Sequence, residues 1–252
     1  MAFMPVNTTR SSRSDFPFYN GKPVALSARD WLLVLLGVAL GFTALLLPVT
    51  DPATRLIPAL LFPLVPLLAL RAVAGPGCWR ALFKPVRLGD LGLALGVALL
   101  NIVVSFTIGW LATQLLSTSA NPAMQLLSHQ SAADRGLFLL GTIPQLLGEE
   151  VLTMLPLLAL LAWFHNRAGL SRRKSLVLAW LLSALPFALV HLPTYQWNLL
   201  QCLLVIGSAR MVLTLAYLRS KNLAVSALAH IINDWLLFGS AALLASYSAS
   251  PT

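Results

Sequence analysis

The stretch Leu137–Phe164, LFLLGTIPQLLGEEVLTMLPLLALLAWF, decides the fold. It exceeds the ~20 apolar residues that a helix needs to cross a bilayer, and its only charges are the adjacent Glu149 and Glu150. An ionised carboxylate at bilayer depth costs roughly 2.5–3.5 kcal/mol on insertion scales. Two neighbouring carboxylates cannot both ionise cheaply in a low dielectric. A helix keeps such a pair when a buried partner or a function compensates. Consecutive helical residues point about 100° apart, so at most one glutamate aims at the bundle centre. The other needs a partner on a neighbouring helix.

Outward from this stretch the chain repeats the same pattern. Apolar segments at Trp31–Val49, Leu56–Val73, Leu91–Leu116, Leu137–Trp163, Leu176–Leu192, Trp197–Leu218 and Leu223–Ala245 predict seven spans, within a range of six to eight. The apolar fraction is 58%, the charged fraction 10% and the mean hydropathy +0.81, far from the ~25% charge of soluble domains. No alternating ten-residue strands of an outer-membrane barrel occur. The fold class is therefore all-α, a polytopic transmembrane bundle. Pro58, Pro63 and Pro66 predict kinks in the second segment, and 117–135 reads as a polar loop with a short interfacial helix.

The net charge of +9 does not point to nucleic acid, because the basic residues sit in short loops that alternate in charge. The N-terminal tail carries four. Arg71, Arg80, Lys84 and Arg87 share one loop; Arg167, Arg172, Arg173 and Lys174 share another; Arg219 and Lys221 share a third. Arg55 and Arg135 stand alone in the intervening loops. The positive-inside rule then puts the N-terminus in the cytoplasm, and seven spans put the C-terminus outside. The first residues lack an apolar signal-peptide core, so 1–25 reads as a mobile polar tail. Cys78 and Cys202 fit neither a disulfide framework nor a metal motif.

Polar residues inside apolar spans carry the functional reading. His191 ends the fifth segment four residues after Phe187, on the same helical face. His230 and Asp234 share a face of the seventh, with Asn233 beside them. Two glutamates, two imidazoles and an aspartate on three spans make a hydrolytic constellation. A carboxylate takes a proton from water, one imidazole orients that water, and the second stabilises the developing oxyanion.

The order Glu149-Glu150, then Phe187-x-x-x-His191, then His230-x-x-x-Asp234 resembles the CPBP family of intramembrane proteases, also called the Abi or type II CAAX prenyl protease family. Gly207 and the segment AYLRSKNLAVSALAH are similar to it as well. The resemblance covers about residues 137–238. It divides the chain into a cytoplasmic polar tail (1–28), N-terminal transmembrane helices (29–136), a catalytic core (137–238) and a C-terminal end (239–252). It implies Glu149 as general base with His191 positioning water, His230 with Asp234 at the oxyanion side, and Glu150 orienting a neighbour. The family motif Glu-Glu-x-x-x-Arg has Met154 in place of its arginine here. Arg210 in the sixth segment is a candidate substitute counter-ion.

The expected function is an intramembrane endopeptidase acting on membrane-associated protein or peptide substrates, with or without a prenyl group. Its partners are the lipid bilayer and that substrate, and the expected setting is a bacterial plasma membrane. The expected mechanism uses no cofactor. The alternative is zinc held by Glu149, His191 and His230, although no His-Glu-x-x-His motif supports it. Two competing classes stand beside the enzyme: an inactive binding, immunity or scaffolding protein of the same family, which Met154 favours, and a proton- or cation-coupled transporter, which the lack of an internal repeat disfavours. One geometric tension accompanies the enzyme reading. His191 ends its segment while the glutamates lie mid-segment, so the fifth span must run longer, tilt or dip to bring them level.

Overall fold

The computed structural model describes residues 15–49, 54, 56–128 and 130–248. Among the described residues there is no strand, and seven spans are long and apolar enough to cross a membrane. They are α1 (Ala28–Leu45), α2 (Leu56–Ala74), α4 (Leu88–Leu115), α6 (Ala132–Asn166), α7 (Arg172–Val190), the α8–α9 span and α10 (Leu223–Ser248). In the α8–α9 span, α8 (Leu199–Gln201) passes through a π-helical stretch, Cys202–Ile206, into α9 (Gly207–Ser220). Two short helices lie between spans, α3 (Cys78–Leu82) and α5 (Pro122–Ser128).

Capping chemistry sets the starts that hydropathy alone misplaces. Ser27 accepts from the Asp30 N–H at 3.2 Å, and Asp30 accepts from the Ser27 N–H at 2.8 Å. This reciprocal capping box starts α1 at Ala28, ahead of Trp31. The Ser131 hydroxyl oxygen accepts from the Asp134 N–H at 3.2 Å, so α6 begins at Ala132 and takes in the last residues expected in the polar loop.

The central helix is α6. Its apolar window is 78% buried, against 22–39% in the other six spans. Leu155, Leu157, Leu158 and Leu161 are fully buried around it. The outer faces are apolar too: Leu32, Leu36, Leu40, Val103, Phe106 and Trp110 are all more than half exposed, as expected where lipid rather than water is the solvent. Lipid supplies little hydrophobic drive between helices, so close packing and polar links hold them together. A Cβ on Gly41 would sit 2.6 Å from the Phe62 carbonyl oxygen, and this bare backbone lets α1 lie against α2. Gly148, beside the glutamates, makes room for the Phe62 ring in the same way. Trp180 Nε1 donates to the Met211 carbonyl at 3.0 Å, tying α7 to α9.

One expectation is corrected. Residues 15–25 are not a mobile tail; the part of the expected tail before them lies outside the described residues. Phe16, Phe18 and Tyr19 are buried, and Asp15 forms two bonds to Arg172 at 2.5 and 2.9 Å. The Arg172 guanidinium holds the Asp15 carboxyl well below the usual carboxylate range. Asn166 Nδ2 donates to the Tyr19 carbonyl at 2.6 Å. The segment thus straps the helix ends at one face of the bundle. Its aromatics explain the difference: they are apolar enough to pack among Arg172, Tyr217 and Lys221.

Candidate active site

Glu149 and Glu150 lie near the middle of α6, and their divergent directions give them different surroundings. Glu150 is fully buried. Arg210 Nη1 donates to its Oε1 at 2.6 Å, His230 Nδ1 lies 2.9 Å from the same oxygen, and Ser226 donates to its Oε2. Arg210, itself fully buried, is the counter-charge that Met154 does not supply. Met154 is packed in the apolar core instead. The positive charge has moved from the helix that carries the glutamates to α9.

Glu149 is only partly buried and faces a cavity of about 450 Å³, within the size range of ligand pockets. His191, His230 and Asp234 line the same cavity. Gln145, one turn before Glu149, donates to Glu149 Oε1 at 3.1 Å. Glu149 Oε2 is 3.8 Å from His230 Nε2, and Asp234 Oδ1 is 3.7 Å from the same nitrogen. Both distances exceed a hydrogen bond, so Nε2 is not committed to either carboxylate. The five residues singled out from sequence therefore gather at one place: four line the cavity, and Glu150 stands behind them.

Hydrogen-bond partners fix the ring orientations. Carboxylate and carbonyl oxygens only accept. His230 Nδ1 must therefore carry the proton toward ionised Glu150, leaving Nε2 toward the cavity. His191 Nδ1 must donate to the Phe187 carbonyl at 2.7 Å, leaving its Nε2 as an acceptor. The Phe187 ring packs between these groups. It lies 4.7 Å from the His191 ring, 6.3 Å from the His230 ring, and 5.0 Å from the Arg210 guanidinium carbon, the last a cation–π contact.

The level difference between His191 and the glutamates also has an explanation. His191 comes 19 residues after the start of α7, and Glu149 comes 17 residues before the end of α6. The two helices are sequential, joined by a short turn, and in contact. Descending from that turn, each reaches its functional residue at about the same depth, ~1.5 Å per residue. The span α7 starts earlier than expected, at Arg172, and ends at Val190 without running past Pro193, while α6 extends beyond it. His191 is the C-cap of α7, and the next residues turn back into α8.

Among the described residues, no three His, Cys, Asp or Glu side chains gather as a metal-holding group. Cys78 and Cys202 are free and buried.

Sequence reading missed three contributors. Ser226 supports Glu150 from one turn before His230. Gln145 bonds Glu149. Asn101, near the midpoint of α4, donates to Asn233 Oδ1 at 2.9 Å. Their common signal is an isolated hydrogen-bonding side chain within an apolar run.

Residues 132–236 match the family model described as Type II CAAX prenyl endopeptidase Rce1-like. The matched stretch contains Glu149, Glu150, His191, His230 and Asp234. No curated protein and no solved structure matches the chain.

Proposed function

We propose that this integral membrane protein is an intramembrane endopeptidase that hydrolyses peptide bonds in membrane-associated substrates. The observation that carries the reading is the convergence of Glu149, His191, His230 and Asp234 on one cavity, within a stretch similar to type II CAAX prenyl endopeptidases. Glu149 takes the proton of the attacking water. His191, with Nε2 free to accept, holds that water. His230 in its imidazolium form presents Nε2–H to the developing oxyanion, with Asp234 beside it. Glu150, neutralised by Arg210, fixes the His230 ring through Nδ1, as a carboxylate orients an imidazole in other hydrolases. No step is routed through a metal.

A second reading, an inactive binding protein of the same family, drew on the missing arginine at Met154. Arg210 supplies that charge from α9, which removes its main support. The substrate is a protein or peptide in or near the bilayer, and prenylation is one form it takes in the family. The strap at Asp15–Tyr19 gathers with Arg172 and Lys221. This clustering of basic loop residues supports a cytoplasmic N-terminus by the positive-inside rule. The membrane proposed is a bacterial plasma membrane.

The test is proteolysis by the purified protein in detergent, using a peptide library with prenylated and unprenylated members. Wild type is expected to cleave, with and without chelator, and Glu149→Ala and His191→Ala are expected not to. Cleavage that survives either substitution defeats the assignment. Activity that chelation abolishes and zinc restores defeats the metal-free mechanism.

A further inference from the structure

The buried relay Asn101–Asn233–Asp234 reaches into the cavity from α4, outside the matched stretch 132–236. Asn101 is 1% exposed and lines the cavity. Asn233 Nδ2 donates to Asp234 Oδ1 at 2.9 Å, and Asn101 Nδ2 donates to Asn233 Oδ1 at 2.9 Å. The bond into Asp234 Oδ1 fixes the polarity of the chain. That oxygen accepts, so Asn233 turns its amide nitrogen to it and its own oxygen to Asn101. Asn101 must then present its nitrogen to Asn233. Its Oδ1 is left over, buried and without a partner.

A peptide entering such a cavity faces a matching difficulty. Its backbone N–H groups leave water or headgroups for a space that offers little solvent, and each needs an acceptor. Among the described residues, Asn101 Oδ1 is the one unpartnered buried side-chain acceptor that belongs to a residue lining the cavity. We propose that Asn101 is a substrate-binding residue whose Oδ1 accepts a hydrogen bond from a backbone N–H of the peptide. The relay through Asn233 holds that oxygen in place and couples substrate seating to the position of Asp234. This rests on the peptidase reading of the same cavity and names the substrate group that Asn101 reads.

The experiment is an N-methyl scan of a peptide that the wild-type protein cleaves in a Glu149-dependent manner, with steady-state kinetics. Methylation of one particular backbone nitrogen is expected to lower kcat/KM about tenfold, the size of one hydrogen bond. Asn101→Leu is expected to lower kcat/KM for the unmethylated peptide by a similar factor, mainly through KM. In that variant, methylation at the sensitive position is expected to cost nothing further. Asn101→Ala removes the same oxygen without filling the space and serves where the leucine variant does not fold. Independent, multiplying effects of methylation and of oxygen removal would overturn the proposal, as would a scan with no sensitive position. Glu149-dependent cleavage with either of these results leaves the peptidase reading standing. A library with no Glu149-dependent cleavage overturns that reading and this inference with it.

Discussion

At the residue scale, the two adjacent glutamates have separate tasks because one helical step separates their surroundings. Glu150 is enclosed and paired with Arg210; Glu149 opens on the cavity. Replacing Glu149 with Gln keeps its size and its bond to Gln145 while removing the base. Turnover is expected to fall by about 10²–10⁴-fold, the usual worth of a general base, with an unchanged thermal midpoint. Kinetics and melting of the same preparation check this. Arg210→Met should act in the opposite way, on folding first. Removing one partner of a buried ion pair destabilises by about 3–5 kcal/mol, because the other charge is left uncompensated. Denaturant titration of the detergent-solubilised protein measures it. An Arg210→Met/Glu150→Leu double variant is expected to regain most of that stability while remaining inactive, since the His230 ring has then lost its acceptor.

At the element scale, α6 organises the site. Its glutamates were legible in the sequence because charge in an apolar run is conspicuous. The capping that starts it at Ala132 was not, because Ser131 and Asp134 look like ordinary loop residues until their bonds form. The helix also depends on a missing side chain. A Cβ at Gly148 would meet the Phe62 ring of α2, so Gly148→Ala must push α2 and α6 apart next to Glu149. Overpacking of this kind costs about 1–3 kcal/mol. The variant is expected to lower the thermal midpoint and turnover together, while Gly136→Ala, with open space around it, should leave turnover unchanged. The motifs put Glu149, His191, His230 and Asp234 in order along the chain but gave no level. The level came from antiparallel α6 and α7 descending from one turn. Arg210 could be named in advance as a spare cation. Asn101 could not, since an amide in a span carries no charge to attract notice.

At the scale of the whole molecule, seven spans were legible because each apolar run reaches the ~17 residues of the shortest membrane-crossing helices. The strap was not, because Asp15–Tyr19 is a short mixed sequence whose aromatics become informative only when packed against Arg172 and Tyr217. The depressed Asp15 titration gives the strap a pH signature. A carboxyl lowered in the folded state adds stability that is fully present above its ordinary pKa of 3.8 and is lost as pH falls below it. Asp15→Asn is therefore expected to lower the thermal midpoint at neutral pH. The gap from wild type should shrink as the medium is acidified below pH ~4, which melting curves across a pH series follow. The bundle as a whole exists, on this account, to bring water, Glu149 and a peptide carbonyl together away from lipid. The most direct test is a single-turnover cleavage in H₂¹⁸O, read by mass spectrometry on the newly formed carboxylate. The account predicts one ¹⁸O in the product of the first turnover by wild type and, from Glu149→Gln, product formed about 10²–10⁴-fold more slowly. An unlabelled product, or cleavage by Glu149→Gln at the wild-type rate, would contradict it.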